Sequence, residues 1–237
     1  MSTSERINAV SLSGSIVSVQ VGRVAPLGPR QVPSAFVKRP IAGRAMVQRL
    51  GLTGDQQADL RVHGGSDKAI YCYPIEHYVK WLAERPSAEA LLVPGGFGEN
   101  LTTRGLDEDL VCIGDVLRIG GVTAQVTEPR QPCFKLGLRF EEPQVLRDML
   151  RSGRCGWYLC VLEPGFVEAG ASITRIGCPN PTWSVARLNR LFGSHATVEE
   201  LTELAELPGL AGGQRNSARA ALDAASRGNP TSHHEGS

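Results

Sequence analysis

The chain has 237 residues, 41% of them hydrophobic and 21% charged, with a formal net charge of +1. That length suits one large domain, or one domain with a small appendage, and the composition excludes wholesale disorder. A charge this close to zero excludes a general field that recruits nucleic acid or anionic membrane, so partners have to be recognised at local sites.

Six cysteines, Cys72, Cys112, Cys133, Cys155, Cys160 and Cys178, are too sparse for a disulfide scaffold in a chain this long. No C-x-x-C pair occurs, and the Cys155 and Cys160 spacing lacks the further cysteine of a plant-type iron–sulfur run. The first residues never build a basic region followed by an apolar run. No stretch approaches the roughly 20 apolar residues that span a bilayer. A cytoplasmic protein with no membrane association is the expectation.

Val17, Val19 and Val21 alternate with Ser18 and Gln20 and predict a half-buried strand. Pro26, Gly28, Pro29, Pro33 and Pro40 then predict loops joining short strands. Two glycine-bearing turns follow, Gly51-Leu-Thr-Gly-Asp55 and Val62-His-Gly-Gly-Ser-Asp-Lys68. In the second, the amides of His63, Gly64 and Gly65 can turn inward as a nest for an anion, with Lys68 adding charge. Residues 74–85 predict a helix that buries Ile75, Tyr78, Val79 and Leu82, which leaves His77 on the solvent side and outside any site. Gly96-Phe-Gly-Glu-Asn-Leu101 is another glycine-dense turn, and Asn100 offers the donor and acceptor that recognition of a heterocycle requires.

Residues 116–119 and 122–127 around Gly120-Gly121 predict a hairpin. Residues 143–150 predict a short helix. Residues 157–162 and 171–176 predict two strands joined through Glu163-Pro164-Gly165. Many short strands with glycine turns and few helices predict an α+β, mainly β fold, a closed or nearly closed barrel with peripheral helices, over residues 1–177. From Cys178-Pro179-Asn180-Pro181 the character changes, and residues 178–228 predict a small three-helix domain. Thr182 caps a first helix that buries Val185, Leu188, Leu191 and Phe192 and stops at Gly193. Thr197-Val-Glu-Glu200 is a capping box that opens a second. Pro208-Gly209 breaks it, and a third covers about residues 214–225. Residues 229–237 read as a disordered tail. Three short helices suggest a DNA reader, but residues 178–228 carry five arginines against five acids. That balance makes a poor phosphate-binding surface and leaves packing or homodimerisation as the expected role.

The strongest chemical signal lies in residues 127–136, Thr-Glu-Pro-Arg-Gln-Pro-Cys-Phe-Lys-Leu. Pro129 and Pro132 stiffen the path on either side of Arg130-Gln131. Cys133 follows, with Arg130 three residues before it and Lys135 two after. Two nearby cations favour the thiolate, the form that attacks electrophiles and binds soft metals. A lone cysteine is commonly buried and inert; this frame makes Cys133 a candidate soft ligand.

Taken together, the Gly51-Leu-Thr-Gly-Asp55, Val62-His-Gly-Gly-Ser-Asp-Lys68, Gly96-Phe-Gly-Glu-Asn-Leu101 and Glu128-Pro-Arg-Gln-Pro-Cys-Phe-Lys135 motifs resemble the MOSC domain, named for the C-terminal domain of molybdenum-cofactor sulfurase. The helical segment after it, with Glu206-Leu-Pro-Gly-Leu210, resembles the 3-alpha domain of the YiiM-type subgroup. The resemblance covers about residues 10–228. It implies a barrel-like fold, the molybdenum cofactor (Mo-pyranopterin), and reduction of N-hydroxylated bases such as 6-N-hydroxylaminopurine, a detoxifying activity. It makes Cys133 the protein ligand of molybdenum, a soft donor for that metal. Arg130, Lys135, Lys68 and the amides of Gly64 and Gly65 then become partners of the pterin phosphate. Asn100 reads pterin or substrate edges, and His63 is the candidate proton donor. Some relatives carry a C-terminal ferredoxin domain, which is not in this sequence, so a separate flavin or iron–sulfur reductase is the expected electron donor. A pyridoxal phosphate association at the family level finds no motif here. Two other functions fit the same residues: a Cys133 persulfide that carries sulfur for cluster or cofactor assembly, and a non-catalytic module that binds pterins or nucleobases.

Overall fold

The computed structural model describes residues 12–59, 64–192 and 196–227. Seven strands close into a barrel: β1 (Ser13–Val21), β2 (Ile70–Pro74), β3 (Leu101–Arg104), β4 (Val116–Ile119), β5 (Val122–Pro129), β6 (Trp157–Glu163) and β7 (Ser172–Gly177). Around the ring they run β7-β4-β5-β6-β2-β3-β1, and β1 pairs again with β7. Only β2 and β3 run parallel. A parallel pair cannot be closed by a hairpin, and the connection carries α1 (Ile75–Glu84). The predicted hairpin is present as β4 and β5, with Ile119 opposite Val122 across Gly120-Gly121. Between β6 and β7 the chain forms a further short strand, Gly165–Val167, which pairs outside the barrel with Ala45–Gln48.

Ile16, Val19, Leu101, Leu117, Ile119, Val122, Val126, Leu159 and Ile173 fill the barrel, each buried side chain contributing about 1.5–3 kcal/mol. The strict alternation expected of β1 fails because its pairing with β3 shifts register between Ile16 and Ser18. A bulge of that kind turns later side chains to the other face, and Gln20 is fully buried as a result.

The buried face of α1 also differs from the expected one. Val79 is 71% exposed and Leu82 38%, while His77, Tyr78 and Trp81 are buried. The helix meets a layer rich in aromatic rings, Tyr71, Tyr73, Phe97 and Phe140, packed with Leu136, Val145 and Met149. Trp81 Nε1 donates to Tyr73 Oη at 2.7 Å, and Tyr73 Oη donates to the Arg154 carbonyl at 3.1 Å. His77, expected in solvent, lies 2.7 Å from Glu108 Oε2 through its Nε2. The partner that buries it arrives 31 residues later, which local periodicity cannot register.

Two helices follow β5, α2 (Phe134–Phe140) and α3 (Gln144–Ser152), and three follow β7, α4 (Val185–Leu191), α5 (Val198–Glu206) and α6 (Gly212–Arg227). The cap of α4 is Ser184, whose hydroxyl accepts from the Arg187 amide at 3.1 Å, not Thr182. Phe192, expected inside, is 40% exposed. The Thr197 and Glu200 capping box is formed as expected. Leu204, Leu207, Leu210 and Ala218 join the same hydrophobic cluster as the barrel. Gly193 and residues 229–237 lie outside the described residues. No described helix is long and apolar enough to cross a membrane.

Candidate functional site

Strand β5 ends at Pro129, and the Arg130 amide then donates to the Gly156 carbonyl at 3.2 Å. Anchored there, the chain passes Pro132 in an extended path and reaches Cys133 (φ −113°, ψ 169°) just before α2. Cys133 is half-buried. It lines a cleft at one end of the barrel, with a cavity volume of about 90 Å³, together with Phe36, Lys38, Asp55, Lys68, Tyr71, Gly98, Asn100, Arg130, Lys135 and Tyr158. Five of the expected site residues, Cys133, Lys68, Asn100, Arg130 and Lys135, therefore share one cavity. Gly64 and Gly65 do not line it; Gly65 (φ +96°) leads into a single 3₁₀ turn, Ser66–Lys68. The His63 assignment falls outside the described residues.

Lys38 and Asp55 are on the cleft wall and were not singled out as site residues by sequence. Their side chains are almost fully buried and joined at 2.5 Å. Asp55 also accepts from the Gly22 amide at 2.6 Å and from Asn100 Nδ2 at 2.8 Å. Burial lowers the Lys38 pKa from its ordinary value, and Asp55 offsets part of that. Asn100 uses its amide internally, because its Oδ1 accepts from the Tyr71 amide at 3.1 Å. Asn100 thus positions Asp55 against strand β2. The turn that presents Asn100 is fixed by fully buried Glu99, which accepts from the Gly95 and Phe97 amides, Thr102 Oγ1 and Tyr78 Oη.

Arg130 is buried under the cleft floor, its guanidinium 5.4 Å from the Tyr71 ring centroid and 5.7 Å from that of Phe36. Burial opposes its charge, but Tyr71, Tyr158 and Cys133 around it outweigh that and leave its pKa raised. Burial also raises Tyr71 and Tyr158, with Arg130 opposing, so both face the cleft as neutral phenols. Lys68 lies 5.7 Å from the Tyr158 ring centroid and 3.4 Å from Glu128.

Four cations, Lys38, Lys68, Arg130 and Lys135, thus face one carboxylate, Asp55, beside a thiol and aromatic rings. This donor set suits an anionic, planar ligand that carries a soft metal. Gly98 (φ +82°) helps keep the space open, since a Cβ there would come within 3.3 Å of the Phe36 ring. The residues present fit a phosphate-bearing molybdopterin. A larger cavity, about 560 Å³ on the same measure, lies beyond Gln131 and is lined by His77, Glu108 and Arg154. Its lining among the described residues holds no cysteine, so the soft donor lies in the smaller cleft.

Residues 59–174 match the family model of the MOSC domain. The chain is 42% identical over 157 residues to protein YiiM of Escherichia coli, covering 66% of this chain and 70% of that protein. A protein from Gibberella moniliformis named reductase is 36% identical over 199 residues, covering 82% of this chain and 35% of that longer one. The crystal structure of YiiM from Geobacillus stearothermophilus superposes with a TM-score of 0.74 at 31% identity, over 88% of this chain and 99% of that chain. The chain belongs to the MOSC-domain family, in its YiiM type. With that family comes an association with molybdenum-cofactor function.

Proposed function

We propose that the chain is a molybdenum-cofactor-dependent oxidoreductase that reduces N-hydroxylated compounds, hydroxylaminopurine-type base analogues among them. The observation that carries the reading is the Cys133 sulfur sharing one cleft with Lys38, Lys68, Arg130 and Lys135. The reductase name of the Gibberella relative supports the reaction type.

Reduction of N–OH to N–H consumes two electrons and two protons and releases water. When bound, the molybdenum cofactor supplies the two-electron chemistry of that conversion. The chain supplies ligation, position and protons. Cys133 Sγ would be the soft donor to the metal, and Arg130, Lys135 and Lys68 would hold the pterin phosphate. Phe36, Tyr71 and Tyr158 line the same cleft and would exclude water from the bound ligand. Lys38 Nζ, pressed against Asp55, keeps a proton at the cleft wall, in the role expected of His63. Electrons arrive from a separate flavin or iron–sulfur protein.

The test is molybdenum content and hydroxylaminopurine reduction in wild type and Cys133→Ser, alongside sensitivity to the analogue in a host lacking the protein. Stoichiometric molybdenum and activity, both lost in the variant, support the reading. Metal-free protein carrying one added sulfur on Cys133 supports a sulfur carrier instead. Ligand binding and host resistance that survive Cys133→Ser support a non-catalytic binding module.

A further inference from the structure

A second group of soft and hard ligands lies away from the cleft, where the barrel meets the helical segment. Cys112, Ile113, Gly114 and Asp115 form a tight turn ahead of β4. The Asp115 amide donates to the Cys112 carbonyl at 3.1 Å, and the Cys112 amide returns a bond to Asp115 Oδ2 at 3.0 Å. Gly114 (φ +84°) is required there, since a Cβ would meet the Pro208 carbonyl at 2.6 Å. Cys178 follows β7 directly, and the next segment is tied to the turn by Asn180 Nδ2, which donates to the Ile113 carbonyl at 2.8 Å. This brings two sulfurs and a carboxylate oxygen within 4.8 Å of one another.

Asp115 points to what the group is for. The residue is fully buried, and its Oδ2 is saturated by the Cys112 amide and by Arg175 Nη1 at 3.2 Å. Among the described residues its Oδ1 is buried with no hydrogen bond from nitrogen or oxygen, and the Cys178 thiol lies against the same carboxyl. A carboxylate oriented through one oxygen and offering the other is the usual state of a metal ligand with its outer hydrogen bonds in place. An orphaned buried oxygen otherwise costs about 1–3 kcal/mol.

We propose that Cys112, Asp115 and Cys178 bind one zinc ion, with water in the fourth position, and that the ion fastens the helical segment to the barrel. Zinc takes cysteine sulfur at about 2.3 Å and carboxylate oxygen at about 2.0–2.2 Å in tetrahedral geometry, which places ligand atoms about 3.5–4 Å apart. The observed spread needs only a small contraction to reach that. Charge closes as well: two thiolates and one carboxylate give −3, and Zn²⁺ with Arg175 gives +3, so the buried group is neutral once filled. Binding releases the two thiol protons and changes no oxidation state.

The experiment titrates the full chain, stripped with a chelator, first with Co²⁺ and then with Zn²⁺. One equivalent of cobalt giving thiolate-to-metal charge-transfer absorption, displaced by zinc, is the expected result. That band persists in Cys133→Ser and disappears in Cys178→Ser. Because Cys178→Ser can fail to fold, alkylation of the wild-type chain provides a second reading. Zinc protects half-buried Cys178 at least tenfold and leaves half-buried Cys160 reacting as before. The proposal is overturned if wild type gives no charge-transfer band, if the band is lost in Cys133→Ser or retained in Cys178→Ser, or if zinc leaves Cys178 alkylation unchanged.

Discussion

Lys38 Nζ lies 2.5 Å from Asp55 Oδ1 and 2.6 Å from Oδ2, and both side chains are less than one-tenth exposed. Removing one partner of such a pair strands a buried charge and costs about 3–5 kcal/mol, whereas removing both is far cheaper. Lys38→Met is expected to lower unfolding stability by about 3 kcal/mol, since Gly22 and Asn100 still donate to Asp55. Lys38→Met with Asp55→Asn should recover more than half of that loss. Urea denaturation of the two variants and wild type measures both values.

Gly156 holds the junction that presents the Cys133 segment. Its carbonyl accepts from the Arg130 amide, and its own amide donates to Glu108 Oε1 at 2.6 Å. A Cβ at this position would stand 2.2 Å from the Cys72 carbonyl oxygen, at φ +66°. Backbone cannot yield as a side chain does, so Gly156→Ala is expected to cost at least about 3 kcal/mol and to lower Tm by roughly 6–12 °C. Gly170→Ala is the control: its φ is +87° but nothing lies within 4 Å of the added carbon. Strain alone predicts a loss of about 1–2 kcal/mol there. Thermal melts that rank the two equally would show that the close approach does not matter.

Asp148 on α3 accepts from Arg85, beyond the end of α1, and from Gln144 and Arg151. The hydrogen bond from Arg85, then that from Gln144, holds its carboxyl below the usual range. A depressed folded pKa stabilises the native state above the unfolded value, and the benefit is lost as pH falls through the folded value. Wild type is therefore expected to exceed Asp148→Asn in Tm near neutral pH, with the gap closing below about pH 4. A gap that widens on acidification would refute the assignment.

Much of the barrel is legible because its signals are local. Gly120-Gly121 between alternating strands specifies a hairpin, Thr197 with Glu200 specifies a cap, and Pro129 with Pro132 brackets Arg130-Gln131 just ahead of the cysteine that reaches the cleft. The failures share one cause, a partner distant in sequence. His77 is buried because Glu108 comes to it, and Lys38 becomes a cleft residue because Asp55 folds across to it, 17 residues away. Each reads as a solvated charge until its partner is known. The Val79 and Leu82 stripe misleads for the same reason, since the layer that buries α1 includes Phe97, Leu136, Phe140 and Met149, all brought in from later in the chain. Asn100 sits in the cleft as expected, yet its amide is committed to Asp55 and Tyr71, which no spacing rule reveals.

Arg130 separates stability from function most sharply. Its guanidinium is buried against Tyr71 and Phe36, and Nη1 approaches Met149 Sδ at 3.1 Å. Among the described residues no carboxylate forms an ion pair with it. A buried cation with no carboxylate partner carries its desolvation cost without an ion pair to offset it, so an apolar replacement of similar length should cost little. Arg130→Met is thus expected to leave stability within about 1 kcal/mol of wild type. Under the proposed function the same change would remove a cationic donor to the pterin phosphate, so retention of molybdopterin should fall at least about tenfold, a loss of about 1.4 kcal/mol or more. Denaturation and cofactor content measured on one preparation test both halves. A variant several kcal/mol less stable would assign Arg130 to the scaffold, and a stable variant that keeps its cofactor would remove Arg130 from the phosphate site.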